Sequence, residues 1–319
     1  MKDQVFERYH RRINEALSAI RKVVVGKAEE LELILATVLA GGHVLIEGPP
    51  GAAKTLIAKS IAGVIGGEFR RVQGSPDLLP TDLTGYHIYD MRGGSRFVRG
   101  PIFTNVLMFD ELNRTHPRAQ SALLQAMMEY QVSVDGMTYD IEKPFHVIAT
   151  EIPEGIEVGV YPLTMTLRDR FWVRVTSDYV GAEEEFEVVR RSDELYDLSR
   201  LGLESVMGVD EFVALQEFLG EGVYVDDRVV KYIVDLVNEL RGDDRVVAGP
   251  SHRGGIYLYR VGKAMALIRG RDYVIPDDIK MLAKYVLSHR IVVREEYRGE
   301  YRPEDIVEEY LRRVPVPKD

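Results

Sequence analysis

The sequence predicts an α/β domain built on a five-stranded parallel sheet over residues 1–178, followed by an all-α domain over 179–319. Three observations carry this. Five short apolar runs (44–47, 69–72, 106–110, 146–150 and 171–175) alternate with helix-length stretches, the order that gives parallel strands joined by crossover helices. Most of these runs are apolar throughout, as strands covered on both faces are. Beyond Asp178 the strand-like runs stop, and five amphipathic patterns of helical period follow one another.

Taken in order, Phe6, Tyr9, Ile13, Leu17 and Ile20 recur at helical spacing and give a first helix. A second covers 28–40, and Gly41-Gly42 ends it. Two insertions interrupt the alternation that follows. Residues 73–105 are too many for a simple connection. Residues 132–141 alternate around Asp135-Gly136, a hairpin signal. In the second part AEEEFEVVRRSDELY, VDEFVALQEFLG, DRVVKYIVDLVNELRG, GIYLYRVGKAMALIRG and PDDIKMLAKYVLSHR all read as helices, with a frayed tail after them.

Composition narrows the function. At about 150 residues per domain, 319 residues suit two domains, and 45% hydrophobic with 29% charged is ordinary for a soluble protein. The absence of cysteine excludes disulfides, thiolate metal sites and a cysteine nucleophile. The seven histidines form no HExxH and no i,i+4 pair, and there is no GxSxG, which disfavours a protein-built metal cage and a serine hydrolase. No apolar run is long enough to span a membrane, and the charged start is unlike a signal peptide, so a cytoplasmic protein is expected. The net charge of −10 sits almost wholly after Ser177, where 21 basic residues face 30 acidic ones. Such a surface repels phosphate backbones and makes nucleic acid a poor default partner.

The sharpest motif is GPPGAAKT at 48–55, placed between a strand and a helix. A loop of this kind turns its N–H groups toward phosphate oxygens, and the helix N-terminus adds a favourable field. Gly48, Pro49, Pro50, Gly51, Ala52 and Ala53 would form the cradle, and Lys54, Thr55 and Leu56 open the helix. Lys54 would meet the β- and γ-phosphates, and the Thr55 hydroxyl would bind Mg²⁺. Ala53 stands where the general pattern has glycine. The second motif is VLMFDE at 106–111, an apolar strand ending in two carboxylates. In that context Asp110 would hold Mg²⁺, and Glu111 would polarise the attacking water.

With these residues in place, the chain resembles the MoxR family of AAA+ ATPases, in the clade that also holds magnesium chelatase motor subunits and minichromosome-maintenance helicases. The likeness runs through VVVGKAEELELILATVLAGGHVLIEGPPGAAKT, QGSPDLLPTDLTG, GPIFTNVLMFDELNRTHPRAQSALLQAMMEYQVSVDG, YPLTMTLRDRF, GPSHRG and GRDYVIPDDIKMLAKYVLSHRI, in that order. The resemblance implies an AAA+ core with a helical lid, Mg²⁺-dependent ATP hydrolysis to ADP, and a homo-oligomeric ring, typically a hexamer. It also implies a chaperone-like action on a client protein complex, with metal-cofactor insertion as one form and a von Willebrand factor A domain protein as a partner. Residue by residue, it implies that Val24, Val25 and Gly26 wall the adenine and that Arg170, with Arg168 beside it, is a finger reaching the neighbouring subunit's nucleotide. Arg253 would be the lid's sensor, reaching the γ-phosphate of its own subunit. Asn113 and Arg114 match the Asn-Arg that follows the acidic pair, where capping the next helix is an equal account.

One departure bears on chemistry. Where the family reads ATQNP the chain has ATEIP at 149–153, so Ile152 replaces the asparagine that orients the attacking water. An isoleucine side chain cannot hydrogen-bond, and Thr150 or Glu151 are the candidates to substitute. Slow hydrolysis, with the chain acting as an ATP-binding switch, is therefore one alternative. A nucleic-acid-dependent motor is another, weakened by the lack of Lys or Arg in VSVDGMTYDI. Met127-Met128 is expected to be core, and Glu183-Glu184-Glu185 a solvated face.

Overall fold

A computed structural model describes residues 2–91, 93–153, 159–195 and 205–317. The first part runs α1 (Lys2–Val23), α2 (Ala28–Leu39), β1 (Val44–Glu47), α3 (Lys54–Val64), β2 (Phe69–Gln73), α4 (Pro80–Thr84), β3 (Gly85–Tyr89), β4 (Ser95–Arg99) and β5 (Val106–Asp110). It continues with α5 (Pro117–Glu129), β6 (Gln131–Val134), β7 (Met137–Asp140), β8 (His146–Glu151), α6 (Met165–Arg168) and β9 (Val173–Thr176). The central sheet has the order β2-β5-β8-β1-β9, and its strands are all parallel. Val106 to Phe109 and the whole of β8 are buried, which is why these runs carry no polar alternation. All five expected strands are present; the last starts at Val173 rather than 171, and β2 and β8 each run one residue further than expected.

Both insertions become hairpins. β3 pairs with β4 and β6 with β7, each antiparallel. Asp135 and Gly136 take φ of 50° and 78°, the left-handed pair that a type I′ turn demands. Phe97 of one hairpin stacks on Tyr139 of the other, with ring centroids 4.0 Å apart.

The second part runs α7 (Ala182–Arg190), α8 (Ser192–Leu195), α9 (Val209–Gly222), α10 (Asp227–Arg241), β10 (Val246–Ala248), α11 (His252–Ile268), α12 (Pro276–Leu287), β11 (Val292–Val293) and α13 (Pro303–Arg313). The end of the first expected helix, Tyr196, lies outside the described residues. The tail is helical to Arg313, and its last two residues also lie outside them. One feature escaped the sequence: β10 and β11 form a short antiparallel ribbon that ties the helices together. α11 packs along α2, α12 lies against β9, and one apolar core runs from α1–α3 through the helices. Trp172 stacks on Tyr257 of α11 at 4.4 Å and 11°. Among the described residues no helix is long and apolar enough to cross a membrane.

Candidate functional site

Because the strands are parallel, the sheet has one edge where they end and another where they begin. The loop 48–53 leaves the end of β1, and Lys54 opens α3. Gly48 is required there by space: a Cβ would lie 2.0 Å from the Ser177 carbonyl oxygen. Ala53 takes φ 60° and ψ 15°, a left-handed conformation normally given to glycine. The Lys54 ammonium donates to the carbonyls of Gly48 (2.6 Å) and Pro49 (2.7 Å). Burial pushes its pKa below the usual lysine value, and the charges of Asp110 and Glu111 oppose that shift.

Asp110 ends β5 with both carboxylate oxygens engaged. Thr150 donates its hydroxyl to one at 2.7 Å, and Arg71 of β2 pairs with the other at 2.6 Å. The same Thr150 oxygen accepts the Glu111 N–H at 2.7 Å. Glu111 has φ 53°, and its Oε2 accepts from Gln73 at 3.0 Å and pairs with Arg114 at 2.8 Å. Arg71 and Gln73 were not found from the sequence. The available signal is their i,i+2 spacing in FRRVQ, which puts both on one face of β2 next to β5. Lys27 was missed as well. It is buried, donates to the Ser177 hydroxyl (2.8 Å) and the Asp178 carbonyl (2.7 Å), and so ties the Val24–Val25–Gly26 segment to the end of β9. Tyr179 reaches back to the Pro50 carbonyl at 3.1 Å.

Asn113 does not cap the next helix; His116 does, its Nδ1 accepting the Arg118 N–H at 3.3 Å. The Asn113 amide instead clasps the backbone of Ile152, donating to its carbonyl (2.9 Å) and accepting from its N–H (3.1 Å). Ile152 is thus held by its main chain at the end of β8, and Thr150 has both its donor and its acceptor committed. Thr55 and Asp110 offer hard oxygens of the kind a Mg²⁺ ion takes, and the Asp110 charge acts on Lys54.

At the opposite edge stand the arginines. Trp172 N–H donates to the His43 carbonyl at the start of the sheet (2.8 Å), and Arg170 lies two residues before it. Arg170 donates to the Thr166 carbonyl at 2.6 Å, but its Nε, like that of Arg168, is buried with no hydrogen-bond partner. Burial, then the nearby Arg253, lowers the Arg170 pKa. Asp169 does not pair with Arg170. Its carboxylate is taken by Arg253 (3.0 Å), by the Ser251 hydroxyl that caps α11 (3.0 Å), and by Arg290 (3.0 Å). Arg290, only 1% exposed, also donates to the carbonyls of Asp169 (3.0 Å) and Phe171 (2.6 Å). Arg253 therefore does not reach the phosphate loop of its own chain. It joins Arg170 on the other edge, because the N-terminal end of α11 that carries it is tied to Asp169 at the strand starts, while the other end of the helix, at Met265 and Arg269, lies toward Gly26 and Thr176.

Beside these arginines lies a cleft of about 660 Å³ between the sheet edge and helices α9 and α11. Met128 lines it and is 41% exposed, so of the methionine pair only Met127 is core. Of the acidic run, Glu184 is half-buried against Gly26, while Glu183 and Glu185 are exposed.

A phosphate loop at the end of β1, an acidic pair two strands away at the end of β5 and an arginine-bearing opposite edge joined to a helical lid define an AAA-type nucleotide-binding protein. Residues 43–173 match the ATPase family associated with various cellular activities (AAA), and residues 240–310 match the AAA lid domain. YeaC of Bacillus subtilis is 41% identical over 98% of this chain and 97% of its own length. Chaperone MoxR1 of Mycobacterium tuberculosis is 35% identical over 96% of this chain and 82% of its own. A crystal structure titled as a putative ATPase from Cytophaga hutchinsonii superposes with a TM-score of 0.88 at 35% identity, covering 99% and 97% of the two chains. The chain belongs to the MoxR family of AAA+ ATPases.

Proposed function

We propose that this chain hydrolyses ATP in the presence of Mg²⁺ as a head-to-tail ring, hexameric as its family suggests, and uses the cycle to remodel or activate a client protein complex. Insertion of a metal cofactor into the client, and a von Willebrand factor A domain partner, follow from the family resemblance. The observation that carries the reading is the division of charge between the two edges. Lys54, Asp110 and Glu111 stand at one, while Arg170 and Arg253 stand at the other and cannot serve the same chain's nucleotide.

In this reading the N–H groups of 48–55 cradle the phosphates, and Lys54 exchanges its two carbonyl partners for phosphate oxygens. Val24, Val25 and Gly26 wall the adenine. Thr55 and Asp110 would hold Mg²⁺, which when bound neutralises charge on the β- and γ-phosphate oxygens. Glu111 leaves Arg114 and Gln73 to orient water. Arg170, with Arg253 beside it, stabilises the charge on the phosphoryl group held by the next subunit.

Steady-state ATP hydrolysis across a series of protein concentrations tests this. Specific activity should rise with concentration. Glu111→Gln should lower turnover by about 10² or more, and Arg170→Ala by about 10³ or more. Concentration-independent turnover, or full activity in the Arg170 variant, rejects the shared site.

A second reading is supported by Ile152. With no polar side chain there, and with Thr150 committed to Asp110 and Glu111, nothing identified positions the attacking water as the family's asparagine does. The chain would then bind ATP and turn over slowly, as a switch. Ile152→Asn should raise turnover about tenfold in this case; unchanged turnover in that variant argues for the motor.

A further inference from the structure

The helix α7 is amphipathic the wrong way round. Glu184, on its inner side, packs against Gly26 beside the adenine segment. At helical spacing this turns Ala182, Phe186 and Val189 outward, and Phe186 and Val189 are 64% and 67% exposed. Glu183 and Glu185 flank that apolar strip and are exposed. Nothing in the described chain covers it. An isolated apolar residue on a surface needs no account, whereas an apolar helix face rimmed by carboxylates has the composition of an interface.

The cleft at the other edge is its complement. Its lining carries four cations, Lys143, Arg253, Arg260 and Lys263, against one carboxylate, Glu217. The cations lie over rings: Arg260 over Trp172 at 5.6 Å and Lys143 over Tyr130 at 4.9 Å. Ile256 and Met128 offer exposed apolar surface in the same place. The cleft adjoins Arg253 and the finger loop, whereas α7 adjoins the phosphate loop through Tyr179 and Gly26. An assembly that brings Arg170 of one copy to the phosphate loop of another therefore turns the sides that carry these two patches toward each other.

We propose that the outward face of α7 seats in the core–lid cleft of a second copy of this chain, Phe186 and Val189 entering beside Ile256 and Met128, and Glu183 and Glu185 meeting Arg260 and Lys143. The proposal rests on the ring reading above and adds the surface that sets its register. The contact is heterologous: each copy offers α7 on one side and a cleft on the other, so the chain has no need to pair with itself about a two-fold axis.

The test uses the full chain with Mg²⁺ and a non-hydrolysable ATP analogue, its association followed by sedimentation. Phe186→Asp and Ile256→Asp both alter exposed positions, so folding, read as the thermal midpoint, should be retained. Each should weaken self-association by about 30-fold or more, as loss of an interface anchor does. A mixture of the two variants should form a one-to-one dimer and stop there, because an intact α7 in one chain meets an intact cleft in the other, and both remaining surfaces are spoiled. Wild-type-like assembly of either variant overturns the proposal, as does a mixture that stays monomeric, or a wild-type chain that never associates. Binding of a fluorescent ATP analogue to the monomer, measured in parallel, separates these outcomes from failure of the nucleotide reading. That binding needs only the phosphate-loop edge and should be equal in wild type and both variants.

Discussion

Single residues here carry both strain and its relief. Ala53 occupies a left-handed conformation at φ 60°, which costs a residue with a Cβ about 1 kcal/mol relative to glycine. Ala53→Gly should therefore stabilise the nucleotide-free chain by about 0.5–1 kcal/mol in urea unfolding; a loss of stability would show that the loop draws something from the methyl group. Asp169 is the converse case. It is the carboxylate partner of the buried Arg290, whose pKa burial pulls down to about 10 while Asp169 resists the shift. Asp169→Asn should cost about 3–5 kcal/mol, the usual penalty for a buried charge left without its counter-ion, measured by the same unfolding experiment. The motif residues were legible in the sequence because glycine, lysine and paired acids at fixed spacing have few other uses. Asp169 and Arg290 were not, since 121 residues separate them and nothing local marks either.

Elements explain the rest of what could be read and what could not. β1, β5 and β8 were legible because burial on both faces leaves mainly apolar runs, and the Asp135-Gly136 hairpin because its turn requires positive φ. β2 was harder. Its FRRVQ sequence looks like a weak edge strand, yet its register against β5 brings Arg71 and Gln73 onto Asp110 and Glu111. Arg71 holds one of the two Asp110 oxygens that a metal ion would use. Arg71→Ala should therefore lower the Mg²⁺ concentration needed for half-maximal nucleotide binding by about threefold, as fits a half-exposed ion pair. A rise instead would mean that Arg71 helps to hold the phosphates. The placement of α11 was beyond the sequence altogether. Amphipathic periodicity identifies a helix that must pack but does not say against which edge, and for this reason Arg253 was expected at the wrong end of the sheet.

At the scale of the molecule, the seam between core and lid sets the response to acid. His43 and His146 are buried at the sheet's starting edge as neutral rings with fixed tautomers. His43 accepts the Val147 N–H on Nδ1 (3.0 Å) and donates from Nε2 to Met127 (3.0 Å); His146 donates from Nδ1 to Gly42 (2.8 Å). Burial drives their pKa values down to about 3 and about 4, with mutual repulsion adding to the shift at His43. The unfolded chain binds these protons near pH 6.5 and the folded one does not. The stability they contribute is therefore complete above pH 6.5 and falls as pH drops toward 4, by up to about 1.4 kcal/mol per pH unit for each ring. Thermal midpoints between pH 7.5 and 5 should show the decline, and His43→Gln with His146→Gln should lessen it, the remainder coming from His289, which burial also holds neutral; an equal slope in the double variant would assign it elsewhere. The placement of the turn that carries Arg170 has a different consequence. Through Arg290 and Arg253 the turn is bolted to the lid, whereas the phosphate loop of the same chain hangs from the far end of the sheet. In a head-to-tail assembly, each copy is then the activator of one neighbour and the client of the other. In the proposed ring, a lid movement in one subunit would act through Arg170 on the site of the next, which would give signalling around the circle a single direction.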